Sequence, residues 1–381
     1  MKLLMKPKYS VRSIAHFCGA CISFYIGAGF ATMQELMQYA VSYGSRFFLV
    51  ILVAGVIFCY TNLSFAVNSN RLKLERGGEI FHVYGSVLGK KAGRWISHFY
   101  DYFTEMFCYM GFIIMCGGAG STMMEEWGFP HWAGALIMAA LVILAVLLGF
   151  TRIVRILGRI GPVIILMIFL IAAVNACTGL SAFAQNAARI ESGEFAGVIE
   201  QVGGGSPFLS GFSYGGMALL WFAPFVAELG AKNKLNEVNA GVSLSACIIF
   251  GVSFLCCAAL IGHIDQTAAA DIPALDLAKM VSPVFAEFFA VIVLAGIFST
   301  AIPILWSPIR KFANEGTAKY RVLTIAGGLA GCLVSAFLPY KDLINIIYGL
   351  NGFLGFTLVF IMAAYDIRTR MSAKPNNLKS H

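Results

Sequence analysis

Charge is what this chain has least of. Only 12% of its 381 residues are Asp, Glu, Lys or Arg, while 59% are hydrophobic and the mean hydropathy is +0.79. A soluble domain of this length needs far more charge, so a soluble enzyme or nucleic-acid binder is excluded and a polytopic membrane protein is indicated. The six histidines and ten cysteines show no metal-ligand spacing. HExxH, GxSxG and Walker sequences are missing as well, which argues against a membrane enzyme. The cysteines, such as Cys18, Cys108, Cys256 and Cys257, lie in apolar stretches and read as packing residues without a structural disulfide.

What the chain does have is long apolar runs. They predict an all-α integral membrane protein of about ten transmembrane helices, near 13–41, 45–68, 97–121, 131–150, 154–179, 207–229, 238–262, 283–308, 320–338 and 342–366. Residues 1–381 are thereby one transmembrane domain. The amino terminus is basic and then apolar, but the apolar stretch is too long for a signal peptide and runs on into Gln34-Glu35. With that terminus inside, 23 of the 27 Lys and Arg residues fall on the cytoplasmic side, and only Arg46, Arg189, Lys279 and Lys341 fall outside. The positive-inside rule then places both termini in the cytoplasm, with the basic loops against anionic lipid headgroups. Residues 79–95 read as an interfacial helix and 181–206 as an outer loop.

Two apolar stretches are interrupted by glycine at matching places. The first carries Ile26-Gly27-Ala28-Gly29-Phe30 and the sixth Ser213-Tyr214-Gly215-Gly216-Met217, roughly 187 residues later. Non-helical backbone survives at membrane depth only where protein or a watery cavity satisfies it, so helices 1 and 6 are expected to break there. The same offset carries helix 3 onto 8, 4 onto 9 and the end of 5 onto the end of 10. Five spans per unit reverse the entry side, which predicts a 5+5 inverted repeat of about 10–180 and 206–368. A helix restarting near Phe30 would turn free N–H groups and a positive dipole end toward a substrate carboxylate.

The run Gly27-Ala28-Gly29-Phe30-Ala31-Thr32-Met33-Gln34-Glu35 resembles the YkvI family of bacterial membrane proteins, whose usual form is G-A-G-F-A-S-G-Q-E, within the amino acid–polyamine–organocation (APC) superfamily. It departs at Thr32 and Met33. The resemblance implies a LeuT-like fold and a secondary transporter, a symporter, for a small amino acid or related amine-bearing solute. Gly27, Ala28, Gly29, Phe30, Gln34, Glu35, Tyr109, Ser213, Tyr214, Gly215 and Gly216 are the expected substrate contacts. In sodium-coupled LeuT-like proteins, two neighbouring helix 8 hydroxyls and carbonyls beside the helix 1 break hold the ion. The matching positions here are Ser299 and Thr300 with Ser23 and Ile26, with a proton as the rival coupling ion. No other cofactor is expected. A non-transporting sensor of the same fold, like spore-germinant receptor subunits, is the alternative.

Ionisable residues inside spans are costly and mark function by default. Glu35 is a candidate for a substrate ammonium, a proton or a helix lock. Asp101 and Glu105, one turn apart in helix 3, join His16 and Glu228 near the inner surface. Together with Arg152, Arg155 or Arg159 they are expected to close an inner gate, and Glu287 in helix 8 is a weaker member of the set.

Overall fold

A computed structural model describes residues 9–270, 272–337 and 340–372. The tail lysines Lys2, Lys6, Lys8, Lys374 and Lys379, and the Lys341 side chain, lie outside it. Among the described residues every regular element is helical. The first apolar stretch is in three pieces, α1 (Val11–Tyr25), α2 (Ala28–Ala31) and α3 (Gln34–Tyr39). They are followed by α4 (Phe47–Leu72), a short α5 (Ile80–Gly85), α6 (Lys90–Trp127), α7 (His131–Leu147), α8 (Phe150–Thr178) and α9 (Leu180–Glu191). The second half comprises α10 (Pro207–Lys232), α11 (Leu235–Gly262), the short α12 (Ile264–Thr267) and α13 (Pro273–Val281), then α14 (Pro283–Phe312), α15 (Ala318–Ser335) and α16 (Tyr340–Ser372). Seven helices among the described residues are long and apolar enough to cross a bilayer, and α7 is a shorter apolar helix. The chain is a multi-pass membrane protein.

Local chemistry sets many of these ends. Ser10 caps α1, Thr317 caps α15, and Ser206 followed by Pro207 starts α10. Glu315, at the foot of α15, caps α8 from the other half of the molecule through Phe150 N–H at 3.0 Å. The expected interfacial helix is divided. Gly89, at φ 86°, separates α5 and a 3-10 turn from α6. The outer loop acquires α9.

α1 packs on α8 and α11, while α10 packs on α16 and α4. α6 lies on α7 and α14, and α14 lies on α6 and α15. Exchanging α1 with α10, α4 with α11, α6 with α14, α7 with α15 and α8 with α16 turns α1–α8 into α10–α16, α1–α11 into α10–α4 and α6–α7 into α14–α15, and leaves α6–α14 as it is. α10 lies innermost, with 89% of its apolar window buried against 39% for α8.

The predicted break in helix 1 is present but displaced. Helix ends at Tyr25, resumes at Ala28, and stops again at Thr32–Met33, where Met33 takes the left-handed conformation at φ 62°. The predicted break in helix 6 is absent. α10 runs unbroken through Ser213–Gly216. Its glycines serve close packing instead. A Cβ on Gly215 would come within 2.9 Å of the Ile57 Cβ on α4, and one on Gly216 within 2.3 Å of the Gly352 carbonyl on α16. Small residues let helix backbones approach, and the intact hydrogen-bond ladder avoids the cost of a break in lipid.

Candidate binding site at the break in the first helix

The break leaves carbonyls of α1 without successors, and α14 meets them. Ser299 Oγ donates to the Ser23 carbonyl at 2.7 Å, and Thr300 Oγ1 donates to the Phe24 carbonyl at 2.9 Å. Gly296, one turn earlier, permits this approach, since a Cβ there would sit 3.2 Å from the Ile26 carbonyl oxygen. The Ser23 and Phe24 carbonyls and two hydroxyls thus meet at one buried spot, and the Ile26 carbonyl lies beside Gly296 one turn away. Hard cations are bound by such oxygen sets, so the donors fit sodium. Phe24 is the member that sequence reasoning missed.

On the other face of the break, Glu35 folds back over Gly29. A Gly29 Cβ would lie 2.6 Å from Glu35 Oε2, so only glycine leaves room for the carboxylate. Tyr214 OH donates to Glu35 Oε1 at 2.7 Å, and the Tyr214 ring stacks on Tyr39 at 5.0 Å. Tyr25, the last residue of α1, stands edge-on to Phe30, Phe58 and Phe250. Ser23 Oγ, Tyr25 OH and Gln34 Oε1 are buried without a hydrogen-bond partner. Glu35 is 4% exposed, and no ion pair among the described residues includes it. This differs from the expected anion site: the protein's own carboxylate lies against the break where a substrate carboxylate was expected.

Gly27, Ala28, Gly29, Phe30, Gln34, Glu35 and Tyr214 therefore come together. Gly215 and Gly216 face α4 and α16, and Ser213 packs against Gly352, where a Cβ would come within 2.0 Å of Ser213 Oγ. Tyr109 turns away, its hydroxyl donating to the Gly327 carbonyl on α15 at 2.8 Å, because it projects from a different face of α6 than Met115. Met115 takes its place at the break: the Ala28 N–H points at Met115 Sδ, 3.2 Å away. Tyr25 was legible as the aromatic residue directly before the motif, but Met115 carried no signal among so many apolar neighbours.

Both ends of the bundle are covered. At one end, α13 sits on the second break, with Ala274 N–H donating to the Thr32 carbonyl at 3.0 Å. Arg189 on α9 ties Glu194 at 2.6 Å and Asp265 of α12 at 2.8 Å. Its guanidinium holds both carboxyls below their usual range, and hydrogen bonds from Ser45 do the same for Glu191. At the other end, Lys311 of α14 pairs with Asp101, and Glu228 pairs with Lys232. The Arg76 guanidinium reaches the Lys311 carbonyl, and Gly78 lies against Asp101. The single network expected from sequence is thus two clusters. His16 lies in a separate cavity with Arg12, Arg155 and Arg159, and the cation that serves Asp101 is Lys311, which α14 delivers from the other half. Glu287 belongs to neither cluster and is exposed at the outer end of α14.

No protein-family model matches the chain. Over 342 residues it is 23% identical to the uncharacterized membrane protein YkvI of Bacillus subtilis (strain 168), spanning 89% of this chain and 91% of YkvI. Among solved structures it is similar to MhsT in complex with L-phenylalanine, with TM-score 0.65 and 12% identity over 90% of this chain and 87% of that one. A Na+-coupled sialic acid symporter in a substrate-bound outward-open state gives 0.64 and 12%, over 91% and 78%. The fold is LeuT-like. A manganese transporter of Eremococcus coleocola is more distant, with TM-score 0.52 and 14% identity over 93% and 78%. In a LeuT-like frame α1–α3 together are the broken first helix, α10 is the sixth, and α14 is the eighth.

Proposed function

We propose that this protein is a secondary active transporter of a small amino acid or related amine-bearing solute, coupled to a cation and working by alternating access. The observation that carries the reading is Glu35: a buried carboxylate held by Tyr214 against an unwound turn, among aromatic rings, with no basic partner among the described residues. An unpaired carboxylate in that setting is costly unless a cationic ligand joins it. A substrate ammonium supplies the missing charge, and the unpartnered Tyr25 OH and Gln34 Oε1 supply further acceptors. The similarity to transporters of known structure supports the same reading at the level of fold.

Sodium at Ser23, Phe24, Ile26, Ser299 and Thr300 would tie α14 to the break and favour one state of the cycle. The exchangeable helix neighbours support two five-helix units, about 10–180 and 206–368, in inverted orientation. The lysine and arginine distribution supports cytoplasmic termini in a bacterial inner membrane.

Ligand-induced thermal stabilisation of the purified protein tests the reading, with a panel of amino acids and amines in sodium and in choline buffer. A ligand at 100 times its Kd adds about 2.7 kcal/mol. Stabilisation by amine-bearing solutes, lost in Glu35→Gln, is expected. Sodium dependence should disappear in the Ser299→Ala/Thr300→Ala double variant. Equal stabilisation by desamino analogues would remove Glu35 from recognition, and indifference to sodium would remove the ion site.

A further inference from the structure

The cytoplasmic cavity beneath α6, α10 and α14 has a volume of about 260 Å³ and is a second site, separate from the helix 1 break. Three carboxylates of the long helices line it, Asp101 and Glu105 from α6 and Glu228 from α10, and Glu79, just ahead of α5, is a fourth. Glu105 is 5% exposed and Glu228 2%, and each keeps one carboxylate oxygen buried without a hydrogen-bond partner. Two of the three have an ammonium. Lys311 pairs with Asp101, and Lys232 with Glu228.

Among the described residues none of the remaining charged groups around the cavity forms an ion pair with Glu105. Arg76 donates to the Lys311 carbonyl and Asn314, and Arg310 donates to Asn314. Glu79 accepts the Glu75 N–H. His82, on the short α5, is held below its ordinary value chiefly by burial, so it is neutral at cytoplasmic pH. That leaves Glu105, among the described residues, as a buried carboxylate without an ion pair, one helical turn from Asp101 and competing with it for Lys311.

We propose that Glu105 is a proton-binding site, loaded and emptied through this cytoplasmic cavity, and that its proton controls the inner closure. With Glu105 protonated, Lys311 belongs to Asp101 and the inner side is latched. When the proton leaves to the cytoplasm, two carboxylates compete for one ammonium and the Asp101–Lys311 latch weakens. A metal ion is the poorer occupant. Hard cations need several oxygen ligands, and no group of three acidic, His or Cys side chains among the described residues is placed to hold one. A proton needs one oxygen. The place of this site in a transport cycle rests on the transporter reading, but proton binding itself does not.

The test is infrared spectroscopy of the substrate-free full-length protein in lipid nanodiscs, following the protonated-carboxyl stretch and its shift in deuterated water. A Glu35→Gln background removes any contribution from the first site. At neutral pH one band is expected in that background, and Glu105→Gln should abolish it. Asp101→Asn should abolish it too, because Lys311 is then free to stabilise ionised Glu105. Lys311→Met should add a second band, since two carboxylates then lack an ammonium. A purely structural Glu105 would not follow this pattern. Absence of the band before Glu105 is changed, or its persistence in Glu105→Gln, would overturn the proposal. So would loss of the band on replacing choline with sodium at constant pH, which would assign the site to a metal cation. Because no substrate is present, failure of the transporter reading would leave these bands unchanged.

Discussion

Gly29 and Glu35 share one space, and the smallest substitution there has a definite outcome. In Gly29→Ala the new Cβ meets Glu35 Oε2 at 2.6 Å, so the carboxylate must leave its seat and its bond from Tyr214. Overpacking of this kind costs about 1–3 kcal/mol. The variant should remain folded by circular dichroism but lose amine-dependent thermal stabilisation, as Glu35→Gln does for a different reason. Part of this geometry was legible beforehand, because the Gly-Ala-Gly run announced an interruption. The displaced register was not. Met33 takes a left-handed φ where the family pattern has glycine, and a motif compared by letters does not reveal which residue will bend.

At the scale of elements, α10 carries the clearest departure from the sequence reading. Glycine pairs in apolar helices serve either a break or a close helix contact, and the two uses look alike until the neighbouring helices are in place. The contact reading makes an ordered prediction. Gly216→Ala drives a Cβ to 2.3 Å from the Gly352 carbonyl oxygen and 2.6 Å from the Phe356 nitrogen of α16, whereas Gly215→Ala meets the Ile57 Cβ at 2.9 Å, a milder overlap. Gly216→Ala should therefore lower the thermal midpoint more, measured for both variants in one detergent. A site where α10 unwinds would tolerate both.

The outer connectors hold by charge. Glu194 and Asp265 have depressed pKa values because Arg189 stabilises their ionised forms, so their contribution is present above the ordinary carboxylate range of about pH 4. It is lost as pH falls through the depressed values. Hydrogen exchange of α9 and α12 should consequently accelerate in acid well below pH 4, and in Arg189→Ala at neutral pH. An α9 as protected in Arg189→Ala as in the parent would show that packing alone holds it.

For the molecule as a whole, the two ends of the bundle are held by different chemistry. At one end, backbone contacts and an arginine triad hold α13 and α9 over the break. At the other, one ammonium from α14 closes against α6, with the Gly77–Gly78 turn wedged between. Cys108 lies buried one turn further into the bundle than Glu105, and so reports on the inner closure. Lys311→Met should increase its labelling by an impermeant maleimide applied to inside-out vesicles, scored by mass spectrometry. Labelling unchanged from the parent would show that the Asp101–Lys311 pair is not what keeps the inner side shut.

The membrane class and the presence of an interruption in the first apolar stretch were decided by the sequence alone, for physical reasons that act locally along the chain. Apolar length against bilayer thickness sets the spans, basic loops set the expected orientation, and glycine without a helical successor marks the interruption. Contacts between distant segments were decided only in three dimensions. Which glycines unwind and which merely pack, which lysine answers Asp101, why Tyr109 turns outward while Met115 turns in, and that Glu35 lies against the break all depend on how helices rotate against one another. One residue of rotation turns a side chain by about 100° about a helix, and only the packed bundle sets that angle.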